Sequence, residues 1–320
     1  MKKLLWLCMM SVGLWAVDTF SPVAMLDING TTKDMVLHGN RLAIATDMGH
    51  IEIYDAESLK KIKEIYIPDV KDFMGDIMPA RVMSADAIGE QYLLLSDSGK
   101  GGYSDLYLYK DGKLEKIIGP EDREAVIKAR FIDEGHILLG YLSNEVALLD
   151  IKSKKEKYRT QLSESKFSDF ALNKTRSQAV FACESGILSL VDVKSGKLIK
   201  EFQGQNVDNI YRVDYKADMI SGAGQDRRGS LYHVKSGKGT YIAGDFLIYA
   251  TALSPSAKVV AFAMDDKNNI SLYRTSSKSK IALLKGQKST LNVIIFQDEN
   301  RLFSASDDNT VMVWDLKSKE

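Results

Sequence analysis

The sequence predicts an all-β fold, a seven-bladed β-propeller, and three observations point to it. A seven-residue phrase recurs seven times along the 320 residues of the chain. Most copies lie about 40–45 residues apart, which is the period of propeller blades. A spare strand stands near the N-terminal end. Within each unit, apolar and polar residues alternate over short runs that turn residues interrupt, which favours strands over helices.

Each phrase begins with a turn residue and continues with alternating apolar positions. The seven copies end at Asp55, Lys110, Asp150, Asp192, Lys235, Arg274 and Asp315. An apolar strand precedes each phrase, such as Gln178–Cys183, and an alternating strand follows it, such as Leu198–Phe202. With one more strand at its start, each unit holds four strands, which is the content of one blade.

The two ends of the chain bear on how the ring closes. The sequence stops soon after the seventh phrase, so the last blade lacks an outer strand. Residues 23–28 form an apolar strand that no other blade uses. Because a ring closes best when the first strand completes the last blade, we expect these residues to pair there. We predict one seven-bladed domain over residues 17–320.

Composition excludes several classes of protein. Lys plus Arg and Asp plus Glu both number 43, so the formal net charge is zero. That balance disfavours a nucleic-acid-binding protein, which carries an excess of basic residues. A hydrophobic content of 45% excludes a disordered chain.

The N-terminal residues have the pattern of a secretory signal peptide. Lys2 and Lys3 precede an uncharged apolar run over residues 4–15, and Ala16 stands before the expected cleavage point. We predict a signal peptide over residues 1–16, export to the periplasm, and no stable membrane insertion after its removal. A retained anchor is the alternative, because Leu14 is large for a cleavage site. The remaining Cys183 has no disulfide partner, so packing alone stabilises the exported chain.

The seventh unit, residues 302–315, ends in Trp314-Asp315 and resembles the second half of a WD40 repeat. WD40 blades usually begin with a Gly-His pair whose imidazole joins a buried hydrogen-bond network. Here the corresponding pairs are Gly286-Gln287 and Gly204-Gln205. The missing imidazole predicts an incomplete network.

With its signal peptide and its ring of about 300 residues, the chain resembles the NapL-type accessory proteins of periplasmic nitrate reductases. The resemblance implies non-catalytic help in maturing or maintaining the periplasmic nitrate reductase system. It implies that the partner is the reductase or one of its assembly factors.

Residue types that carry catalysis or bind metals are scattered. The histidines have no metal-ligand spacing and are expected in structural or surface roles; they are His38, His50, His136 and His233. Cys183 lies on an apolar strand, and we expect its side chain to be buried as a small hydrophobic group. No Cys-x-x-Cys pair is present to hold a haem or an iron–sulfur cluster. We therefore predict no catalytic residue, no metal and no cofactor.

Aspartates in matching turns of several blades allow a second interpretation. They are Asp47, Asp97, Asp226, Asp265, Asp266, Asp307 and Asp308. A lactonase-like propeller hydrolase would gather such groups around a metal in the central channel. Aspartate in a turn also bonds its own backbone, which explains the repetition without a ligand. The hydrolase requires at least three carboxylate, Asn or His groups to converge at the channel mouth.

An unusually long connection indicates the candidate binding site. The first two phrases end 55 residues apart, against 39–43 for the others. The excess lies in residues 68–79 and in the glycine-rich turn 96–103, which emerge on the same face of a propeller. The first of these segments carries Phe73, Met74, Ile77 and Met78, apolar side chains that suit an adaptable partner surface. The alternative is that they fold back over the channel or onto a blade. We predict a non-enzymatic interaction protein that uses this loop.

Overall fold

The structure is a computed structural model that describes residues 17–317. The predicted signal peptide, residues 1–16, lies outside the described residues, so its removal stays a prediction. The described residues form 31 strands and no helix. Accordingly, no helix within them has the length and apolar character needed to cross a membrane. Seven of the sheets are blades, which confirms the predicted fold class.

The strands follow the order of the chain, from the innermost strand of each blade to its outermost. Two strands precede the first blade, β1 (Asp18–Phe20) and β2 (Ala24–Asp27). The first blade comprises β3 (Thr32–His38), β4 (Arg41–Thr46), β5 (His50–Asp55) and β6 (Lys61–Tyr66). A small hairpin of β7 (Val70–Lys71) and β8 (Ile77–Met78) follows.

The second and third blades are β9 (Val82–Ile88), β10 (Gln91–Asp97), β11 (Ser104–Lys110), β12 (Lys113–Ile118), and β13 (Val126–Asp133), β14 (His136–Tyr141), β15 (Glu145–Asp150), β16 (Lys155–Gln161). The fourth and fifth are β17 (Phe167–Leu172), β18 (Gln178–Cys183), β19 (Leu188–Asp192), β20 (Leu198–Phe202), and β21 (Ile210–Lys216), β22 (Met219–Gly224), β23 (Arg228–His233), β24 (Gly239–Ala243). The sixth and seventh are β25 (Ala250–Leu253), β26 (Val259–Ala263), β27 (Ile270–Arg274), β28 (Lys280–Leu284), and β29 (Leu291–Phe296), β30 (Arg301–Ser306), β31 (Thr310–Asp315).

The hydrophobic core is divided among the interfaces between blades. Seven clusters of buried apolar side chains each join two neighbouring blades, and the cluster between the seventh and first blades closes the ring. The second strands are almost wholly buried, because blades cover both of their faces. The outer strand β16 instead alternates exposed and half-buried residues, since only one of its faces packs. This division explains why the sequence pattern is apolar in the middle of each unit and alternating at its end.

The N-terminal residues close the ring as predicted. β2 pairs antiparallel with β31 over four residues and supplies the missing outer strand of the seventh blade. The structure adds a contact that the sequence did not predict: β1 pairs in parallel with β28 at the outer edge of the sixth blade. Phe20 at the end of β1 is buried in the cluster between these two blades. Burial of a Phe side chain contributes about 1.5–3 kcal/mol, so this short segment fastens both the sixth and the seventh blades.

Candidate interaction surface

The two faces of the ring are built from different connections. Because neighbouring strands of a blade are antiparallel, the second-to-third turns share one face with the connections from each outer strand to the next blade. We call this the hairpin face, because it carries the β7–β8 hairpin. The first-to-second and third-to-fourth turns emerge on the opposite side.

The predicted binding loop forms the β7–β8 hairpin and does not fold back onto the ring. Phe73 and Met74 occupy its tip, while Ile77 and Met78 lie in β8 opposite Lys71 and Val70. The four apolar side chains are 93%, 72%, 70% and 48% exposed, in chain order. The structure therefore brings all four together on one projecting hairpin, and their role in binding stays a prediction.

The tip of the hairpin is held by its own hydrogen bonds. The carboxylate of Asp72 accepts the backbone N–H groups of Met74 and Asp76, each at 2.9 Å. The carbonyl oxygen of Asp72 also accepts the Gly75 N–H at 3.1 Å. An aspartate that caps a turn in this way lowers the conformational freedom of the loop. Phe73 and Met74 are thus presented on an ordered turn.

The base of the hairpin packs on two glycines. A Cβ at Gly99 would lie 2.4 Å from the carbonyl oxygen of Lys71 and 3.0 Å from the Cβ of Val70. Only a glycine permits that approach. Gly49 contacts both ends of the segment that carries the hairpin. Its carbonyl oxygen accepts the Ile67 N–H at 2.9 Å, and Pro79 lies beside its Cα. The glycine-rich turn 96–103, which carries Gly99, is therefore a packing partner of the binding hairpin.

Other exposed apolar groups in loops lie on the same face. They are Met48, Leu142, Val207 and Phe246. Phe246 belongs to an aromatic group in which the rings of Tyr211 and Tyr249 stack with their centroids 5.2 Å apart. Exposed apolar and aromatic side chains concentrated on one side are typical of protein-binding surfaces.

A buried ionic network supports the hairpin face in the first blade. Glu52 is fully buried. Its carboxylate forms an ion pair with Lys61 at 2.6 Å and accepts hydrogen bonds from the Tyr54 hydroxyl at 2.7 Å and the Asn29 N–H at 2.8 Å. The His50 ring, also fully buried, lies 3.3 Å from the same carboxylate through Nε2. Such a carboxylate is stable when buried because every lone pair has a donor.

The network shifts the pKa values of its members. Burial alone would raise the pKa of Glu52, but the bonds from His50, Lys61 and Tyr54 outweigh burial and lower it to about 2. Burial would lower the pKa of His50, yet its contacts with Glu52 and the Met48 carbonyl raise it. The sequence analysis predicts a structural or surface role for His50, and its burial in this network makes the role structural.

The central channel is lined by charged residues that backbone bulges aim inward. Most innermost strands shift register after their first residue, as between Thr32 and Asp34, Phe167 and Asp169, and Ile210 and Arg212. A bulge turns the next side chain toward a new direction. These side chains face a channel cavity of about 840 Å³.

Four channel aspartates fasten four of the blades to the blade that follows. Asp34, Asp86, Asp169 and Asp214 each accept a backbone N–H from the innermost strand of the following blade, at 3.1, 2.8, 3.0 and 2.8 Å. The sequence analysis missed this pattern, although an acidic residue inside an otherwise apolar innermost strand is a signal that could have found it.

Cationic side chains cross the channel to the same carboxylates. Arg130 reaches from the third blade to Asp34 of the first at 2.8 Å. Arg176 reaches from the fourth blade to Asp86 of the second, also at 2.8 Å. Burial would raise the pKa of Asp34, but the charge of Arg130 lowers it on balance. The channel carboxylates are therefore engaged with backbone amides and guanidinium groups.

Several of the turn aspartates are likewise engaged, although the buried Oδ1 of Asp97 has no hydrogen-bond partner. Asp47 accepts the Thr31 N–H at 2.8 Å, and Asp226 accepts the Val207 N–H at 2.9 Å. Asp265 closes its own turn through the Asn269 N–H at 2.9 Å. Within residues 17–317, no three His, Cys, Asp or Glu side chains are grouped so that they could hold a metal ion. The donor geometry favours the structural explanation of these aspartates.

The seventh blade corrects one expectation about its hydrogen-bond network. Gln287 is buried, its Oε1 accepts the Ser304 hydroxyl at 2.8 Å, and its Nε2 donates to Ser306 at 2.6 Å. Trp314 donates to Ser304 at 2.8 Å. The expectation of an incomplete network was wrong for this blade, because an amide, like a neutral imidazole, supplies one donor group and one acceptor.

Comparison with known proteins agrees with this architecture. No family model matches the chain. A stretch of 158 residues, 46% of the chain, is 27% identical to a guanine nucleotide-binding protein subunit beta-like protein of Encephalitozoon cuniculi. The match covers 46% of that relative, so it spans about half of its length. The crystal structure of the Myceliophteria thermophila Cps50 (Swd1) β-propeller domain superposes with a TM-score of 0.70 at 14% identity, over 92% of this chain and 98% of that one. The chain has the fold of a seven-bladed β-propeller.

Proposed function

We propose that the chain is a non-catalytic periplasmic interaction protein and that the β7–β8 hairpin is its partner-binding site. We further propose that it serves as an accessory factor for maturing or maintaining a periplasmic nitrate reductase system. The partner is then the reductase or one of its assembly factors. The periplasmic location rests on the signal pattern of residues 1–16, and the nitrate reductase role on the family resemblance.

The observation that carries the binding role is the exposure of four apolar side chains on an ordered hairpin. Phe73 is 93% exposed, although its side chain is among the most costly to leave in water. Large apolar groups in this position gain free energy when a partner covers them. Because Asp72 already orders the tip, little conformational entropy is lost on binding.

The similarity to propellers supports a binding role over a catalytic one. The name of the relative likens it to the beta subunit of a guanine nucleotide-binding protein. The aspartates that a channel-metal hydrolase needs are occupied in this chain by backbone amides and arginines. These contacts favour a structural role for the channel aspartates Asp34 and Asp86 over a metal site.

Affinity capture from the periplasm of the native host tests the proposal. The bait is the chain from Val17, and the variant carries Phe73→Ser with Met74→Ser. A matched control carries Ile62→Ser with Ile199→Ser, which removes two exposed apolar groups from outer strands. We expect nitrate reductase subunits with the wild type and the control, and at least about a hundredfold lower recovery with the hairpin variant.

Two results would contradict the proposal. Equal recovery by all three baits would remove the hairpin from the binding site. Stoichiometric metal bound to the bait, together with hydrolysis of a lactone, would favour the channel-metal enzyme instead. Far-UV circular dichroism of each variant checks that the blades are intact, which we expect because the substituted side chains are exposed.

A further inference from the structure

The face opposite the hairpin is distinguished by its lysines. On this side, the turns of the seventh, first and second blades carry Glu57, Glu90, Asp111, Asp298 and Glu299, whereas lysines dominate in the third to sixth blades. We call the first-to-second and third-to-fourth turns of the third to sixth blades the lysine face. In the third to sixth blades, the third-to-fourth turns carry Lys152, Lys154, Lys194, Lys197, Lys235, Lys238 and Lys278. All are exposed, and these four turns contain no aspartate or glutamate. On the same side, the first-to-second turns of these blades add Lys174, Arg176 and Lys258 but also Glu134 and Asp218, so the four blades present an excess of positive charge.

Most of these charges are free of internal partners. Lys154 pairs with Glu115 at 2.8 Å. Among the described residues, the other six turn lysines form no ion pair within 4.0 Å. The neighbouring acidic groups are partly occupied, since Asp150, Asp192 and Asp218 accept the N–H groups of Ser153, Ser195 and Lys235 at 2.8, 2.9 and 3.1 Å. The lysine charges are therefore directed to solvent.

The four third-to-fourth turns of the lysine face carry positive charge without the planar side-chain groups that recognise a ligand of fixed geometry. The lysines are point charges on flexible stems, and guanidinium forks, which recognise one phosphate at fixed geometry, are absent from these four turns. No exposed aromatic side chain stands among them to stack on a base. A broad lysine field of this kind fits a fluid anionic plane better than a shaped groove or a duplex.

One feature of the rim agrees with a planar, partly apolar ligand. Leu198 and Ile199 follow Lys197 directly on β20 and are 47% and 48% exposed. These apolar side chains lie beside the lysines, where they would contact the same ligand surface.

We propose that the lysine face adsorbs to an anionic lipid bilayer, with lipid phosphates as the ligands of its lysines. The hairpin face is then directed away from the bilayer and toward soluble partners. Adsorption needs no inserted segment and is reversible by salt, because its strength comes from charge near the surface. The inference is independent of the identity of the protein partner.

Vesicle sedimentation with the chain from Val17 tests this proposal. That chain contains all described strands and omits the apolar run 4–15, so binding reports the folded ring alone. The probes are vesicles of phosphatidylcholine and vesicles in which about a third of the lipid is phosphatidylglycerol. The variant replaces with Gln the residues Lys194, Lys197, Lys235 and Lys238. The matched control makes the same change on the hairpin face at Lys71, Lys100, Lys285 and Lys288.

We expect the wild type to bind only the phosphatidylglycerol vesicles. The lysine-face variant should bind at least about tenfold more weakly, and the control within about twofold of the wild type. Restoring the charge with Arg at the same four positions should restore binding. Unfolding midpoints of all variants show whether the ring is intact.

Three results would overturn the proposal. One is equal weakening by the two sets of substitutions. Another is equal binding to vesicles without phosphatidylglycerol. The third is tighter binding to duplex DNA or polyglutamate than to the anionic vesicles at the same ionic strength, which would assign the lysine face to a different macromolecule.

Discussion

The two faces of the ring differ in what they expose and in how it is supported. The hairpin face presents Phe73 and Met74 on a turn that is capped by Asp72 and packed on Gly99. The lysine face presents solvated charges on short turns, such as Lys194 and Lys197, with no apolar tip. Binding through apolar contacts is strongest at an ordered site whose shape fits the partner. Electrostatic attraction to a charged plane does not require such a site. The difference is the basis of our two proposals, which assign each face a different class of ligand.

The largest expected effect concerns the support of the hairpin face. Glu52→Gln breaks the buried network beneath Gly49, and we expect the free energy of unfolding at neutral pH to fall by about 3 kcal/mol. The pKa of Glu52 lies at about 2, below its ordinary 4.5, so its contribution is complete above pH 4.5 and disappears as pH falls toward 2. Urea unfolding across this range should show a smaller acid loss in the variant. An unchanged pH profile would contradict the assignment.

Ionic strength should separate the two faces. Raising the salt from about 0.1 M to about 1 M shortens the Debye length from about 10 Å to about 3 Å. We expect vesicle binding by the lysine face to fall more than about tenfold, and capture of the protein partner by the hairpin to change little. Sedimentation and capture at both salt concentrations check this. Equal salt dependence of the two ligands would mean that they share a surface.

Packing at the base of the hairpin gives a smaller, local effect. Gly99→Ala places a methyl group 2.4 Å from the Lys71 carbonyl oxygen at a residue with φ of 68°. We expect a loss of about 1–2 kcal/mol and faster amide hydrogen exchange in β7 and β8. Gly102→Ala is the matched control, because its φ is 75° but no atom lies within 4 Å of its added Cβ. The same loss of hairpin protection in both variants would refute the packing contact.

The smallest effect tests the charge of single turns. Asp192→Ala removes a negative charge from the lysine face together with two hydrogen bonds to Ser195. We expect the affinity for anionic vesicles to rise about fivefold, the value of one surface charge. Asp72→Ala removes a similar turn cap on the hairpin face and should leave vesicle affinity unchanged. A rise of equal size in both variants would show a response to net charge rather than to the face.

Local patterns predicted the blades and the closing strand, because alternation and turn residues act over a few positions. Six of the seven third strands lie within the repeated phrases, and β23 begins one residue before its phrase. β2 pairs where residues 23–28 were expected. Long-range contacts were not predictable in this way. Arg130 and Asp34 are 96 residues apart, and only the curvature of the ring brings them together. β1 was missed because three residues carry too little periodicity to stand out.

The candidate site was predicted in part. Loop length and composition identified Phe73, Met74, Ile77 and Met78, but the support from Gly99 requires the geometry of two loops at once. The lysine face escaped notice because each turn contributes one or two lysines to an electrically neutral sequence. Only the common direction of the third-to-fourth turns gathers them on one side.

The central claim, that the two faces bind different ligands, is tested most directly by a crossed experiment. The hairpin variant (Phe73→Ser with Met74→Ser) and the lysine-face variant are each assayed for recovery of nitrate reductase subunits and for binding to phosphatidylglycerol vesicles. We predict that the hairpin variant loses only the protein partner and the lysine-face variant loses only the vesicles. Loss of both ligands by either variant in an intact ring, or of neither by both, would contradict the claim.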